Sequence, residues 1–275
     1  MDVNAEAHGA GSNSREKAVK RLRLAFRRGG PTYASLHGLR WIVRSVMQGL
    51  EQRLVHIEQR RRIVEPWAVS ATRFTTQDNK ALWNTYDWSA RGEEWTSSDE
   101  WKRSLVDEFM TPYVPQNGVV VEVGPGAGRW TEFLQQRASK CILVDIAEQA
   151  LSLCRERFSD FSNLEYLISE GCRIGTPDLS VDAVWSYDVF VHINPLDTQS
   201  YFREFRRILK SGGRAVIHHP GNPSTRTGVR PGWRSDVTED LVLDFASASG
   251  LQRLRRTDQY VNPGDVLSVF IKASA

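Results

Sequence analysis

The chain has 275 residues, 40% of them hydrophobic and 25% charged, with a formal net charge of +3. That length can bury a sizeable core without a disulfide or metal staple, and the composition excludes whole-chain disorder. Cys141, Cys154 and Cys172 form no C-x-x-C pair, and no apolar run reaches the roughly 18 residues of a membrane span, so a reducing, cytoplasmic setting is expected.

Residues 1–14, rich in Ala, Gly, Ser and Asn, lack the basic-then-apolar order of a secretory signal and are expected to form a disordered leader. An N-terminal extension over 15–100 follows, then a main domain over 101–275. The charge is uneven. Residues 1–65 carry 13 Lys and Arg against 6 Asp and Glu, leaving 23 against 27 for the rest. Within 15–28, Lys17, Lys20, Arg21, Arg23, Arg27 and Arg28 surround Val19, Leu22 and Phe26. That spacing predicts a short basic amphipathic helix, suited to peripheral contact with an anionic membrane or to docking by its apolar stripe. From about Ser35 to Val64, Leu36, Leu39, Val43, Val46, Leu50, Leu54 and Ile57 recur at threes and fours. This predicts a second helix, paired with a twin in a homodimer or packed on its own domain.

The stretch from Trp67 to Trp101 is irregular and holds Trp67, Trp83, Trp88, Trp95 and Trp101. Indole rings offer a flat apolar face and one N–H donor, which suits a sugar platform, a cation cage, a lid or plain packing of the arm onto the main domain.

The main body alternates strand and helix. Strands are predicted at 118–123, 141–144, 164–168, 181–186 and 214–218, and a closing hairpin at 252–259 and 265–273. Helices are predicted at 129–137, 147–158, 198–209 and 236–249, with Leu209 to Gly213 as the stop and turn before the fifth strand. Near-continuous apolar strands such as GVVVEV alternating with helices predict a mainly parallel α/β sheet covered on both faces.

The first strand runs into Glu122-Val123-Gly124-Pro125-Gly126-Ala127-Gly128. Glycines there permit a sharp turn and a close ligand approach, and the following helix offers free N–H groups. The sixth position of a dinucleotide motif holds Arg129, which weakens a nicotinamide reading. Asp145 ends the second strand and is placed to accept hydrogen bonds from a ribose diol. Glu122 would repel a pyrophosphate and suits a ligand with a cationic end, such as S-adenosylmethionine.

These motifs resemble those of class I S-adenosylmethionine (SAM)-dependent methyltransferases over about residues 118–275. VEVGPGAG is similar to the family's E/D-x-G-x-G-x-G loop. The resemblance implies that Gly124, Gly126 and Gly128 line the methionine moiety, that Glu122 orients its amino end and that Asp145 holds the ribose. SEGCRIGTPDLSVDAVWS resembles the family's adenine stretch, although Ser-Glu-Gly stands for Gly-Asp-Ala. That likeness places Glu170 at the adenine amino group with Gly171 and Cys172 beside the ring. Pro125, Ile146, Ser186 and Tyr187 complete the implied cofactor set. LKSGGRAVI resembles the turn into the fifth strand. The implied topology is a Rossmann-like seven-stranded sheet of order 3-2-1-4-5-7-6 with the last strand antiparallel.

Ligands of open parallel sheets bind beyond the carboxyl ends of the strands. Strand four leads into Asp188 and His192, and strand five into His218 and His219. An alcohol must lose its proton as it attacks a methyl group, so His192, then His219, is the expected general base beside Asp188. Alternation along the strand lets only one of His218 and His219 face the site. Asp188 with His218 and His219 could also hold a divalent ion. The 220–238 loop carries Arg226, Arg230, Trp233 and Arg234, suited to an acceptor phosphate or carboxylate. The aromatic stretch, with Trp88 and Trp95 facing the acceptor, is similar to that of bacterial methyltransferases of sugars and cell-surface glycans. That narrower resemblance implies O-methylation of a saccharide hydroxyl. The alternatives are a small-molecule N- or O-methyltransferase of secondary metabolism and a nucleic-acid-binding protein on a degenerate SAM fold. The main body's negative balance argues against nucleic acid as a partner.

Overall fold

The computed structural model describes residues 74–222 and 234–273. The expected leader, the basic helix, the 35–64 helix, Arg226, Arg230 and Trp233 lie outside these residues. Contacts divide the chain between Pro66 and Trp67, so the Trp-rich residues from Phe74 on belong with the sheet.

Seven strands form one sheet of order β3-β2-β1-β4-β5-β7-β6. They are β1 (Val119–Val123), β2 (Lys140–Asp145), β3 (Leu164–Ile168), β4 (Val181–Ser186), β5 (Leu209–Pro220), β6 (Leu251–Thr257) and β7 (Asp265–Lys272). β7 runs antiparallel to both β5 and β6, and the other pairings are parallel. The helices are α1 (Thr76–Trp83), α2 (Asp99–Leu105), α3 (Thr131–Arg137), α4 (Glu148–Arg157), α5 (Pro195–Ile208) and α6 (Glu239–Ala248). None of the described helices is long and apolar enough to cross a membrane.

The period of two in β1 and β2 divides the core. Val121, Val123, Ile142 and Val144 face the aromatic side of α5, with Tyr201, Phe202 and Phe205. Val120, Cys141 and Leu143 face α2, α3 and α4, with Leu105, Leu134 and Leu151. Strands buried on both faces need apolar residues at every position, which is why these runs show no polar alternation. β5 begins five residues earlier than predicted. Its register with β4 slips between the pairs Val181–Leu209 and Ala183–Arg214, so the expected turn at Leu209–Gly213 is absorbed as an irregularity inside the strand.

Two caps place the acceptor end of the sheet. Asn194 accepts from the Asp197 N–H at 2.9 Å and Pro195 opens α5, so the helix starts three residues before Thr198. Thr75 and Asp78 form a reciprocal capping box at α1. α1 is tied to the chain after β4, because Asn79 donates through Nδ2 to the carbonyl oxygens of Phe74 at 3.1 Å and His192 at 2.7 Å.

Candidate cofactor and acceptor site

Beyond the tips of β1, β2 and β4 lies an open cleft, where ligands of parallel sheets bind. Its first wall is the turn after β1. Gly124 and Gly126 have φ of +70° and +56°, a region that favours glycine. A Cβ on Gly124 would come within 2.4 Å of Val189, and one on Gly126 within 2.7 Å of the Trp88 ring. Pro125, Val144 and Ile146 also line the cleft. Asp145 is buried at the tip of β2. Its Oδ1 accepts from the Ala147 N–H at 2.9 Å and its Oδ2 from the Gly126 N–H at 3.4 Å. Burial outweighs these bonds and raises its carboxyl to about 6.

Several expected cofactor residues lie elsewhere. Glu122 is fully buried under the loop, accepts from Thr131 Oγ1 at 2.6 Å and does not line the cleft. Burial raises it to about 8, against the Thr131 hydrogen bond. The reason is the strand period: Glu122 alternates with Val121 and Val123, so it points to the α3 side. Glu170 is exposed, and neither it, Gly171 nor Cys172 lines the cleft. Ser186 donates to the Val123 carbonyl at 3.0 Å inside the sheet. Gly128 packs against Phe158 behind the loop. Of the strand-four pair only Tyr187 reaches the cleft.

The opposite wall is ionic. Asp188, at φ +60°, takes Arg129 Nη2 at 2.6 Å, His218 Nδ1 at 3.1 Å and Arg234 Nη2 at 3.8 Å. Burial alone would raise its carboxyl, but Arg129, His218 and Arg234 prevail and hold it far below the usual carboxylate range. Behind it, Asp265 opens β7 and meets Arg234 Nε at 3.2 Å and His218 Nε2 at 3.6 Å. Burial would lower His218, yet its contacts with Asp188 and Asp265 raise it. His192, in a single 3-10 turn, lines the cleft with Arg234 Nη1 3.0 Å from its Nε2. A guanidinium only donates, so this Nε2 accepts.

His219 lies off the cleft. Its Nδ1 faces the Pro220 carbonyl at 2.8 Å and its Nε2 faces Ser268 Oγ at 2.9 Å, and burial lowers it to about 4. It is a satisfied core histidine and no base for the acceptor. The expected metal set fails with it. His219 points away, and Asp188 already carries guanidinium groups that repel a cation. The described residues include no group of three or more His, Cys, Asp and Glu placed to hold a metal ion.

An aromatic cover closes the cleft. Trp83, Trp88 and Trp95 line it together with Asn79, Arg91 and Arg129. Trp88 sits on the glycine turn rather than at the ionic wall. Trp101 packs on Trp130 and Tyr187 instead. Arg129, Asp265 and Asn79 were not expected at the site, and Trp83 was expected only as one of five indoles between Trp67 and Trp101. Arg129 was visible only as the residue spoiling a dinucleotide motif, and Asp265 reaches the site solely through its pairing with Pro220 across β5 and β7.

Residues 121–217 match the family described as methyltransferase domain. The matched residues run from β1 into β5 and include the glycine turn, Asp145 and Asp188. It is 35% identical over 161 residues to malonyl-[acyl-carrier protein] O-methyltransferase of Marinomonas sp. (strain MWYL1), covering 57% of this chain and 58% of that one. It is 23% identical over 164 residues to phosphoethanolamine N-methyltransferase 1 of Caenorhabditis elegans, covering 56% of this chain and 33% of that one. The chain thus spans about half or less of these curated relatives. The fold is shared with Haemonchus contortus phosphoethanolamine N-methyltransferase 1, solved with phosphoethanolamine and S-adenosylhomocysteine (SAH). That match has TM-score 0.57, 18% identity and coverage of 73% of this chain and 49% of that one. It is also shared with the putative methyltransferase in complex with the Haloferax volcanii Trm112 activator, at TM-score 0.55 and 17% identity, covering 70% and 98%.

The residues present fit SAM. Asp145 opens to the cleft with its carboxylate fixed by two backbone donors, as a ribose diol requires. Val144, Ile146 and Tyr201 offer apolar surface for an adenine, and the turn at Gly124 to Gly126 leaves backbone exposed to the methionine portion.

Proposed function

We propose that the protein is a SAM-dependent methyltransferase that methylates an oxygen of a small polar acceptor. The observation that carries this reading is one continuous cleft running from Asp145 and the glycine turn to His192. SAM supplies an electrophilic methyl group. Asp145 and the Gly124–Gly126 backbone hold the donor. The Trp83 and Trp95 rings give the acceptor flat apolar faces, which suits a saccharide. For a sugar hydroxyl, His192 accepts the proton at Nε2 in place of the Arg234 N–H, and Asp188 keeps the neighbouring cations in position.

A second acceptor class is favoured by the guanidinium groups of Arg91, Arg129 and Arg234 along the same cleft. Among the described residues lining the cleft, Asp188 is the carboxylate beside them, so a carboxylate or phosphate on the acceptor is also accommodated. A carboxylate oxygen is already anionic and attacks without a base. Transfer of labelled methyl from SAM to panels of saccharides and small carboxylic acids tests both readings, with His192→Ala as the separator. For a hydroxyl acceptor, turnover should fall roughly 100-fold or more while SAH affinity is unchanged. A carboxylate acceptor should lose little. Methylation of amines alone would defeat the oxygen reading.

A further inference from the structure

On the reading that the cleft binds SAM, we infer that the face of Trp88 receives the sulfonium and that this ring distinguishes SAM from SAH. A cation entering the cleft needs a partner there. Glu122 is turned under the loop, with its carboxyl engaged by Thr131. Asp188 is taken by Arg129 at 2.6 Å and by His218 at 3.1 Å. Asp145 stands at the ribose end. Among the described residues no further carboxylate lines the cleft, and its rings remain as partners for a cation.

The rings are not equivalent. The Arg129 guanidinium already lies 5.5 Å from the Tyr187 ring and 5.8 Å from the Trp95 ring. Trp83 meets the rings of Tyr86, Trp88, Trp95 and His192 and lies at the acceptor end beside His192, whereas Trp88 meets Trp83, Tyr86 and Trp95 and lies at the glycine turn. No cation stands over Trp88 among the described residues. Its six-membered ring lies against Gly126, so closely that a Cβ there would be 2.7 Å from Cζ3 and 2.8 Å from Cη2. Its orientation is fixed: Nε1–H donates to the Trp83 carbonyl at 3.1 Å, and Tyr86 packs edge-on at 4.9 Å. A rigid indole face beside the turn that exposes backbone to the methionine portion is a receptor for a sulfonium. It offers quadrupole attraction without the desolvation cost of a buried carboxylate. The neutral thioether of SAH lacks that attraction.

Calorimetric titration of SAM and SAH into the full chain and its Trp88→Leu and Trp88→Phe variants reads this directly. Trp88→Leu should weaken SAM roughly 5- to 30-fold and SAH less than about threefold, because only the cation–π share is charge-selective. Trp88→Phe, which keeps a weaker π face, should weaken SAM only about two- to threefold and leave SAH unchanged. Should the leucine variant bind neither ligand because it does not fold, the SAM-to-SAH ratio of the phenylalanine variant decides. Equal losses for both ligands would reduce Trp88 to a packing residue and overturn the inference. So would unchanged or tighter binding of both, the mark of a ring that only obstructs the cleft. If the unaltered chain binds neither ligand, the SAM reading itself falls.

Discussion

At the β2 end of the cleft a carboxylate, Asp145, meets two peptide N–H groups. At the β4–β5 end another, Asp188, meets two guanidinium groups and an imidazole. Both are strand-end aspartates in mostly buried positions, yet they shift in opposite directions. Neutral donors do not offset burial at Asp145, so it is raised to about 6. Full charges overcome burial at Asp188 and hold it ionised. The first is a receptor that gains when a polar ligand adds hydrogen bonds. The second is a strut already saturated with cations, and it braces the wall that carries His192 and Arg234.

The largest effect should come from breaking the strut. Asp188→Ala strands Arg129 and His218 in the interior, and an uncompensated buried charge costs about 3–5 kcal/mol. Urea unfolding should show that loss at neutral pH. Its pH dependence follows from the two shifts. Asp188, held low, contributes stability that is present above the ordinary Asp range near 3.9 and is lost as pH falls. His218, held high, contributes stability that is present below its ordinary value near 6.5 and is lost as pH rises through its raised value. The gap between wild type and variant should therefore be widest in between. A loss under about 1 kcal/mol would mean that Asp188 is a solvated surface acid.

Asp145→Ala should leave the fold intact and weaken SAH roughly 10- to 100-fold, the size of a hydrogen-bond pair to a buried charge. Because a diol donates to the ionised carboxylate, wild-type affinity should be full above about pH 6 and decline below it. Asp145→Asn should flatten that decline. An affinity equally pH-dependent in both proteins would assign the titration to another group and remove Asp145 from the ribose role.

The contrast also explains what the sequence made legible. Strand, glycine turn and Asp145 lie within residues 118–145, where local spacing sets geometry. The sheet order was implied by the methyltransferase motifs, and the observed register follows it. The ionic wall gathers Arg129, Asp188, His218, Arg234 and Asp265 from separate crossovers, and nothing local marks them as neighbours. Some errors were avoidable. Asn194-Pro195 is a cap followed by a first-turn proline, which announces α5 three residues before Thr198. The alternation that separates His218 from His219 also turns Glu122 away from the cleft, because Val121 and Val123 occupy the other face.

Glu122 gives the smallest and most specific test. As a buried acid raised to about 8, it keeps its proton in the folded chain through a pH range where the unfolded chain has lost it. Folding therefore weakens as pH rises from about 4.3 towards about 8. Glu122→Gln removes that penalty and retains an oxygen that can accept from Thr131 Oγ1. The variant should melt near wild type at pH 4 and about 3 °C or more above it at pH 8, roughly 1 kcal/mol for a domain of this size. Thermal melts followed by circular dichroism across that range measure the gap. A gap independent of pH would mean that the glutamine merely packs better. A variant less stable at pH 8 would mean that Glu122 is ionised in the folded chain and that burial does not set its charge.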